Sequence, residues 1–152
     1  MNFACQAIAV LTLATAIHAP AWAGERGTPA EATAMVKKAA AYLKANGKDK
    51  AYAEFNNPKG MFVDRDLYIM VYDMNGINVA HGANPKMIGK NLLELKDADG
   101  TQIVKAFIET ATTKGKGWVD YKWPNPVSKA IEAKSTYIEK VDDVILGSGV
   151  YK

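Results

Sequence analysis

Leu67 to Asp73, then Asn75-Gly76, then Ile77 to His81, is the stretch that most restricts the possible folds. Asn-Gly between two strand-like runs is the strongest short-range signal for a β-hairpin, because both residues tolerate the positive φ of a tight turn. In the first run Leu67, Ile69 and Val71 share one face, and Tyr68, Met70 and Tyr72 share the other. Both faces are apolar or aromatic, so this strand is expected inside a sheet and covered on both sides. In the return run Ile77, Val79 and His81 are expected on one side. An antiparallel sheet is thus the starting point, and the other segments have to fit around it.

Thr28-Pro29-Ala30-Glu31 is a helix start, with an N-cap Thr, Pro at the first helical position and Glu completing a capping box. Ala32, Met35, Val36, Ala39 and Leu43 recur at helical spacing, and Asn46-Gly47 is a stop. This predicts a helix over 29–45 whose Ala-rich stripe can lie close to a sheet. A shorter helix over 48–55 offers Ala51, Tyr52 and Phe55, and Asn57-Pro58 ends it. Residues 82–97 have no clean period but are too apolar for a free loop, so a compact connection with a short helix is expected. Asp99-Gly100-Thr101-Gln102 is read as capping a further helix, with Ile103, Val104, Phe107, Ile108 and Ala111 inward and Lys114-Gly115 as its end. The run Asp97-Ala98-Asp99-Gly100 is read as a turn and N-cap, not as a calcium loop. Gly117 to Trp123 alternates as a strand with Val119, Tyr121 and Trp123 on one face and Trp118, Asp120 and Lys122 on the other. Pro124-Asn125-Pro126 turns the chain, Ile131 to Val141 returns, and Val144 to Tyr151 closes as a last strand. The fold expected is α+β: an antiparallel sheet of about five strands with a long N-terminal helix on one face. The connection over 82–114 covers the other face and leaves a pocket against the sheet.

The chain has 152 residues, 49% of them hydrophobic, which suits one core and one domain. Ala7 to Ile17 is an apolar run of signal-peptide length, and Ala21-Trp22-Ala23 is a small-x-small cleavage pattern. Residues 1–23 are therefore read as a secretory signal and 24–152 as the mature domain, placed in the periplasm or secreted. Cleavage would remove Cys5, the only cysteine, so disulfides, thiolate zinc sites, iron–sulfur clusters and cysteine nucleophiles are not expected. With His81 as the only histidine after the signal, no metal or other cofactor is expected. All 19 basic and 16 acidic residues follow residue 23, scattered without a block of like charge. That argues against a nucleic-acid partner. No later apolar stretch reaches membrane-spanning length.

The order of these elements resembles a single Cache domain, the extracytoplasmic small-molecule sensor module with a PAS-like sheet. The resemblance is carried by Asp66-Leu67-Tyr68-Ile69-Met70-Val71-Tyr72-Asp73 with Asn75-Gly76, and by Ala80-His81-Gly82-x-Asn84-Pro85-x-x-Ile88-Gly89-Lys90-Asn91. Gly117-Trp118-Val119-x-Tyr121-x-Trp123, Lys134-x-x-Tyr137 and Gly147-Ser148-Gly149-Val150-Tyr151 complete it. It implies a binding module, not an enzyme, of the kind found in chemoreceptors and histidine kinases and often binding short carboxylates. With no signalling domain after Lys152, the expectation is a free-standing periplasmic binder that presents its ligand to a separate membrane receptor or histidine kinase. The alternative is an accessory protein-interaction module in a signalling or chemotaxis system, without its own small ligand.

Candidate ligand-binding residues follow. Lys134 lies mid-strand in an apolar setting, where a buried ammonium needs an anionic partner. An exposed lysine paired with Glu132 or Asp120 is the alternative. His81 could fix a ligand oxygen or bond to the Gly82–Pro85 turn. Tyr121 and Trp123 share a strand face, while Trp118 has the opposite parity and joins them only through a bulge. The aromatic strand is read as the middle strand of the pocket wall. Tyr68 and Tyr72 share a face with Met70, and either face of that strand could line the pocket. Tyr137 has the opposite parity from Lys134. Arg65 suits bidentate carboxylate binding, but Asp64 and Asp66 flank it and favour local pairing. A hydrolase built on His81 with Asp120 or Asp73 lacks any marked nucleophile, since Ser128, Ser135 and Ser148 sit in turns or strands.

Overall fold

The computed structural model describes residues 26–152. The predicted signal peptide and Cys5 lie outside the described residues. Helix α1 spans Pro29–Asn46, and its capping box is made: Thr28 N–H donates to Glu31 Oε2 at 2.8 Å, and Glu31 N–H to Thr28 Oγ1 at 3.3 Å. Its buried stripe is Ala32, Val36, Ala39, Ala40 and Leu43. Small side chains on that stripe let the helix lie across the sheet at close range. Gly47, at φ 77°, ends it, and α2 follows at once over Lys48–Phe55, burying Ala51 and Phe55.

Strands β1 (Val63–Asp64) and β2 (Leu67–Tyr68) form a two-residue hairpin apart from the main sheet. The expected continuous strand over 67–73 is broken at Ile69, whose N–H donates to the Phe62 carbonyl at 3.2 Å. Of this run only β3 (Met70–Asp73) joins the main sheet, and the three residues before it, Leu67, Tyr68 and Ile69, are buried as well. The chain turns through Asn75-Gly76 with Gly76 at φ 84°, and Asp73 Oδ1 accepts from the backbone N–H groups of Asn75 and Ile77.

Strand β4 (Asn78–His81) returns with a bulge opposite Val71 and Tyr72. That bulge corrects the expected parity: Val79 packs with Ala80 on the α1 side, while His81 stands opposite Met70 on the other side.

The main sheet has order β4-β3-β7-β6-β5, antiparallel throughout, with β5 over Lys116–Pro124, β6 over Ile131–Val141 and β7 over Val144–Tyr151. The aromatic strand β5 is thus an edge, not the middle of the wall, and the fully buried β7 is central. Edges are covered: Asn78 exchanges backbone bonds with Lys90 and Gly89 beside β4, and Lys122 N–H on β5 donates to Asp97 Oδ2 at 2.8 Å. Unpaired strand edges invite pairing with other chains; the connection covers the β4 edge, and Asp97 blocks the β5 edge at Lys122.

α1 covers β7 and β6 on one face, over a core that includes Phe55, Phe62, Ile69, Val71 and Leu146. On the other face lie the connection, with a short 3₁₀ turn at Pro85–Met87, and α3 (Ile103–Lys114). Helix α3 buries Ile103, Val104, Phe107 and Ala111, while Ile108 is half-exposed. Its N-cap residue Gln102 makes no side-chain cap. The expected capping run is replaced by Asp97, which accepts from the N–H groups of Asp99 and Thr101 and so organises the turn.

Gly149 marks where the two faces differ. A Cβ built there would collide with Thr136 Oγ1 and stand 2.6 Å from Lys134 Cε. The missing side chain leaves room for the lysine stem. Gly149→Ala is expected to lower stability by about 1–3 kcal/mol through overpacking. Urea denaturation checks this, and an unchanged midpoint would contradict the close approach.

Candidate functional site

Lys134 sits on β6, opposite Tyr121 of β5 and Tyr151 of β7. It is 1% exposed. Its Nζ donates to the Tyr68 hydroxyl at 2.7 Å and to the Tyr151 hydroxyl at 3.3 Å. The same Nζ lies 4.1 Å and 4.6 Å from the centroids of those two rings. Phenol oxygens and ring faces partly replace lost water, but no carboxylate pairs with this ammonium among the described residues. Burial therefore pushes its pKa down to about 7, against an opposing pull from the Asp66 charge.

Around the cation stand neutral donors. Burial pushes the phenols of Tyr68 and Tyr121 well up, and that of Tyr72 up to about 12, so all three keep their protons at neutral pH. Tyr121 shares a 2.8 Å hydrogen bond with Thr136 Oγ1, and Tyr151 O–H donates to the Pro124 carbonyl at 2.9 Å. The Tyr68 ring stacks on His81 with centroids 4.9 Å apart.

His81 is 2% exposed, and its Nδ1 accepts from the N–H groups of Ala83 at 3.3 Å and Asn84 at 3.0 Å. Two donors on Nδ1 place the ring proton on Nε2. Burial first, and the Lys134 charge second, hold the pKa down at about 3, so the imidazole is neutral and Nε2–H is a donor.

Beside these groups opens a pocket of about 220 Å³, bounded by Tyr68, His81, Asn84, Trp123, Asn125 and Lys129. A narrower recess continues inward past His81 and Trp123 to Tyr72, Leu95, Phe107 and Tyr121. Phe107 meets Tyr121 edge-on at 5.6 Å, and Tyr121 meets Trp123 edge-on at 6.2 Å. The cleft therefore sets a few polar groups among apolar lining at its mouth, is aromatic at depth and is backed by a buried positive charge. Lys134 itself lines neither space. Tyr68 does, and its hydroxyl carries the contact to the ammonium.

The structure brings Lys134, Tyr68, His81, Tyr72, Tyr121 and Trp123 together, and it leaves three expected residues elsewhere. Trp118 is 42% exposed on the opposite face, packed against Tyr137 at 5.5 Å. Tyr137 belongs to the α1-side core, and its hydroxyl donates to Glu139. The β5–β6 register runs unbroken from Lys116 to Pro124, so no bulge turns either residue round. Arg65 lies on the surface in the β1–β2 turn at φ 57°, paired with Asp64 and Glu31 at 2.8 Å each. Both partners hold its guanidinium well above the ordinary range.

Sequence reasoning missed Tyr151, Asp66, Asn84 and Phe107. Parity could have found Tyr151, since it shares the face of Gly149 and stands in register with Lys134. Asp66 had no such signal, because its 1% exposure depends on the small hairpin that breaks the predicted strand.

Among known proteins, the chain is 34% identical over 90 residues to the methyl-accepting chemotaxis protein McpP of Pseudomonas putida, covering 58% of this chain and 16% of that protein. It is 35% identical over 89 residues to the sensor histidine kinase MctS of Rhizobium johnstonii, covering 57% of this chain and 19% of that protein. The matched region is thus under a fifth of the length of these curated relatives. A Cache chemosensory domain solved to explain its carboxylic acid recognition superposes with TM-score 0.68 at 27% identity, over 80% of this chain and 91% of that one. The family profile described as Single Cache domain 2 matches residues 9–152. An antiparallel sheet with α1 on one face, a ligand-sized cleft on the other and this match over most of its length agree: the chain belongs to the single Cache domain 2 family of sensor domains.

Proposed function

We propose that this Cache domain binds a short organic carboxylate in the cleft beside Tyr68 and His81, with Lys134 as its counter-charge. The observation that carries the reading is the Lys134 ammonium, buried without an ion-pair partner among the described residues and contacting the cleft through the Tyr68 hydroxyl. An unpaired buried charge is costly, and a ligand anion would offset that cost. Tyr68 O–H, polarised by the ammonium, and His81 Nε2–H are the donors that a carboxylate would meet. The wider pocket would take the acid with a short tail, and the aromatic recess, with space of only about 10 Å³, would limit its length. The related Cache domain that recognises carboxylic acids supports the same ligand class.

Cache domains are extracytoplasmic sensor domains, and among the described residues no helix is long and apolar enough to cross a membrane. The proposal includes delivery of the ligand signal to a separate membrane receptor or kinase, of the kind represented by the relatives. An accessory role without a ligand would suit an interior filled beside Tyr68 and His81, and the pocket there favours the binding reading.

Thermal shift and calorimetry with acetate, propionate, lactate, pyruvate and succinate provide the test. At least one acid is expected to raise the melting temperature, and Lys134→Met is expected to weaken its binding by at least about 30-fold, the loss typical of a removed buried charge partner. No stabilisation by any acid, with no change in Lys134→Met, would sink the reading. Tyr68→Phe removes only the hydroxyl and is expected to weaken binding by about 10–100-fold, the range for a hydrogen bond to a charged group. An unchanged affinity would mean that the acid reaches Lys134 by another route.

The pH dependence follows from the depressed pKa of about 7 on Lys134. The ligand needs the ammonium, which is the form present below that value. Affinity is expected to be flat from about pH 5.5 to about 6, to be down about twofold at pH 7 and then to fall toward about tenfold per unit as the free site loses its proton. Calorimetry in buffers of different ionisation enthalpy should show proton uptake on binding above pH 7.

A further inference from the structure

Three consecutive residues touch both the buried ammonium and the lead-in to α1. Tyr68 takes the hydrogen bond from Lys134 Nζ at 2.7 Å. The Leu67 side chain packs so closely on Gly27 that any Cβ at Gly27 would collide with it. Asp66 is 1% exposed, and its Oδ1 accepts from the Gly27 N–H at 2.6 Å. Its other oxygen, Oδ2, is buried with no hydrogen-bond partner among the described residues. The backbone of the segment is paired only with the two residues of β1, and its side chains are what tie it to the rest of the domain. The two ends of the described chain also meet here: Arg26 reaches the Lys152 carbonyl at 3.3 Å and Glu132 at 2.9 Å, while Tyr151 bridges Lys134 and the Pro124 carbonyl.

We propose that Asp66–Leu67–Tyr68 is a coupling element, in which an anion placed beside Lys134 and Tyr68 loosens the hold of Asp66 on Gly27 and frees the lead-in to α1. This rests on the carboxylate-binding reading. Tyr68 and Asp66 stand on one short segment, so a turn of Tyr68 toward a ligand oxygen displaces the carboxylate two residues away. The added anion also shares the field of the Lys134 ammonium with Asp66. Oδ2 already lacks a partner, so among the described residues the Gly27 N–H is the hydrogen bond through which a shift of this carboxylate would be read. The capping box at Thr28 and Glu31 lies beyond this bond and is not required to change.

Amide hydrogen exchange by NMR tests the coupling on the whole chain, with sodium propionate as probe and the Leu146 amide in β7 as reference. Gly27 is expected to exchange roughly five- to tenfold faster with propionate, relative to Leu146, as a local opening that the rest of the sheet does not share. Lys134→Met without propionate is expected to speed Gly27 similarly. Tyr68→Phe, which keeps the ring and drops only the hydroxyl, serves the same arm if the lysine variant does not fold. Asp66→Asn should exchange fast at Gly27 from the start and respond less than about twofold to propionate. Propionate that binds by calorimetry but leaves Gly27 unchanged, or slows it together with Leu146, would overturn the coupling and leave the binding reading intact. Propionate that does not bind would count against the binding reading, and the coupling would then stand or fall on whether Lys134→Met or Tyr68→Phe speeds Gly27.

Discussion

The charge on Lys134 is the constraint around which this domain is arranged. An ammonium at 1% exposure in the middle of a sheet is unfavourable unless its surroundings replace water. Three neighbouring strands supply those surroundings. β6 carries the lysine, β7 carries Tyr151 and the side-chain-free Gly149, and the small β1–β2 hairpin brings Tyr68. The break at Ile69 matters for this reason. The break takes Tyr68 out of the main ladder yet leaves it on the side of Met70 and Tyr72, where it stacks on His81 and reaches the lysine.

The two faces of the sheet do different work. The α1 face is packed for stability: alanines lie against β7, and beneath α2 the rings of Phe55 and Phe62 meet edge-on at 4.8 Å. Trp118 and Tyr137 fall on this side through strand parity. The opposite face is covered less completely, by α3 and an irregular connection, and that incomplete cover leaves the cleft. Glycines on the cleft side of β7 lower the sheet surface there, and the bulge in β4 turns His81 toward it while sending Val79 to the helix side. The cleft is thus a product of local departures from regular strands.

The donors in the cleft share a chemistry. Tyr68, Tyr72, Tyr121 and His81 are all held neutral by burial, and each offers or can offer a proton to an acceptor. A wall of neutral donors in front of one buried cation matches an anion that is small and partly apolar. The likeness to a Cache domain solved for its carboxylic acid recognition is the support for the ligand class proposed above.

The sequence by itself determined the elements, because each depends on local chemistry. The capping box at Thr28, the Ala-rich stripe, the stop at Asn46-Gly47, the hairpin through Asn75-Gly76 and the alternation of β5 are set by propensity and period, and all were legible. Lys134, His81, Tyr121 and Trp123 were visible as unusual residue types in strand positions. What the tertiary structure decided was adjacency and direction. Strand order made β5 an edge and β7 the centre, a matter of pairing energy between distant segments. The bulge in β4 reversed the expected face of Val79 relative to His81, since a one-residue irregularity flips every side chain beyond it, while the break at Ile69 took Leu67 and Tyr68 out of the main ladder without changing their sides. Tyr151 and Asp66 join the lysine only through contacts 17 or more residues apart in sequence, or through burial that a folded hairpin creates. A one-dimensional pattern carries no signal for such meetings, because they arise when the sheet closes and water leaves the ammonium.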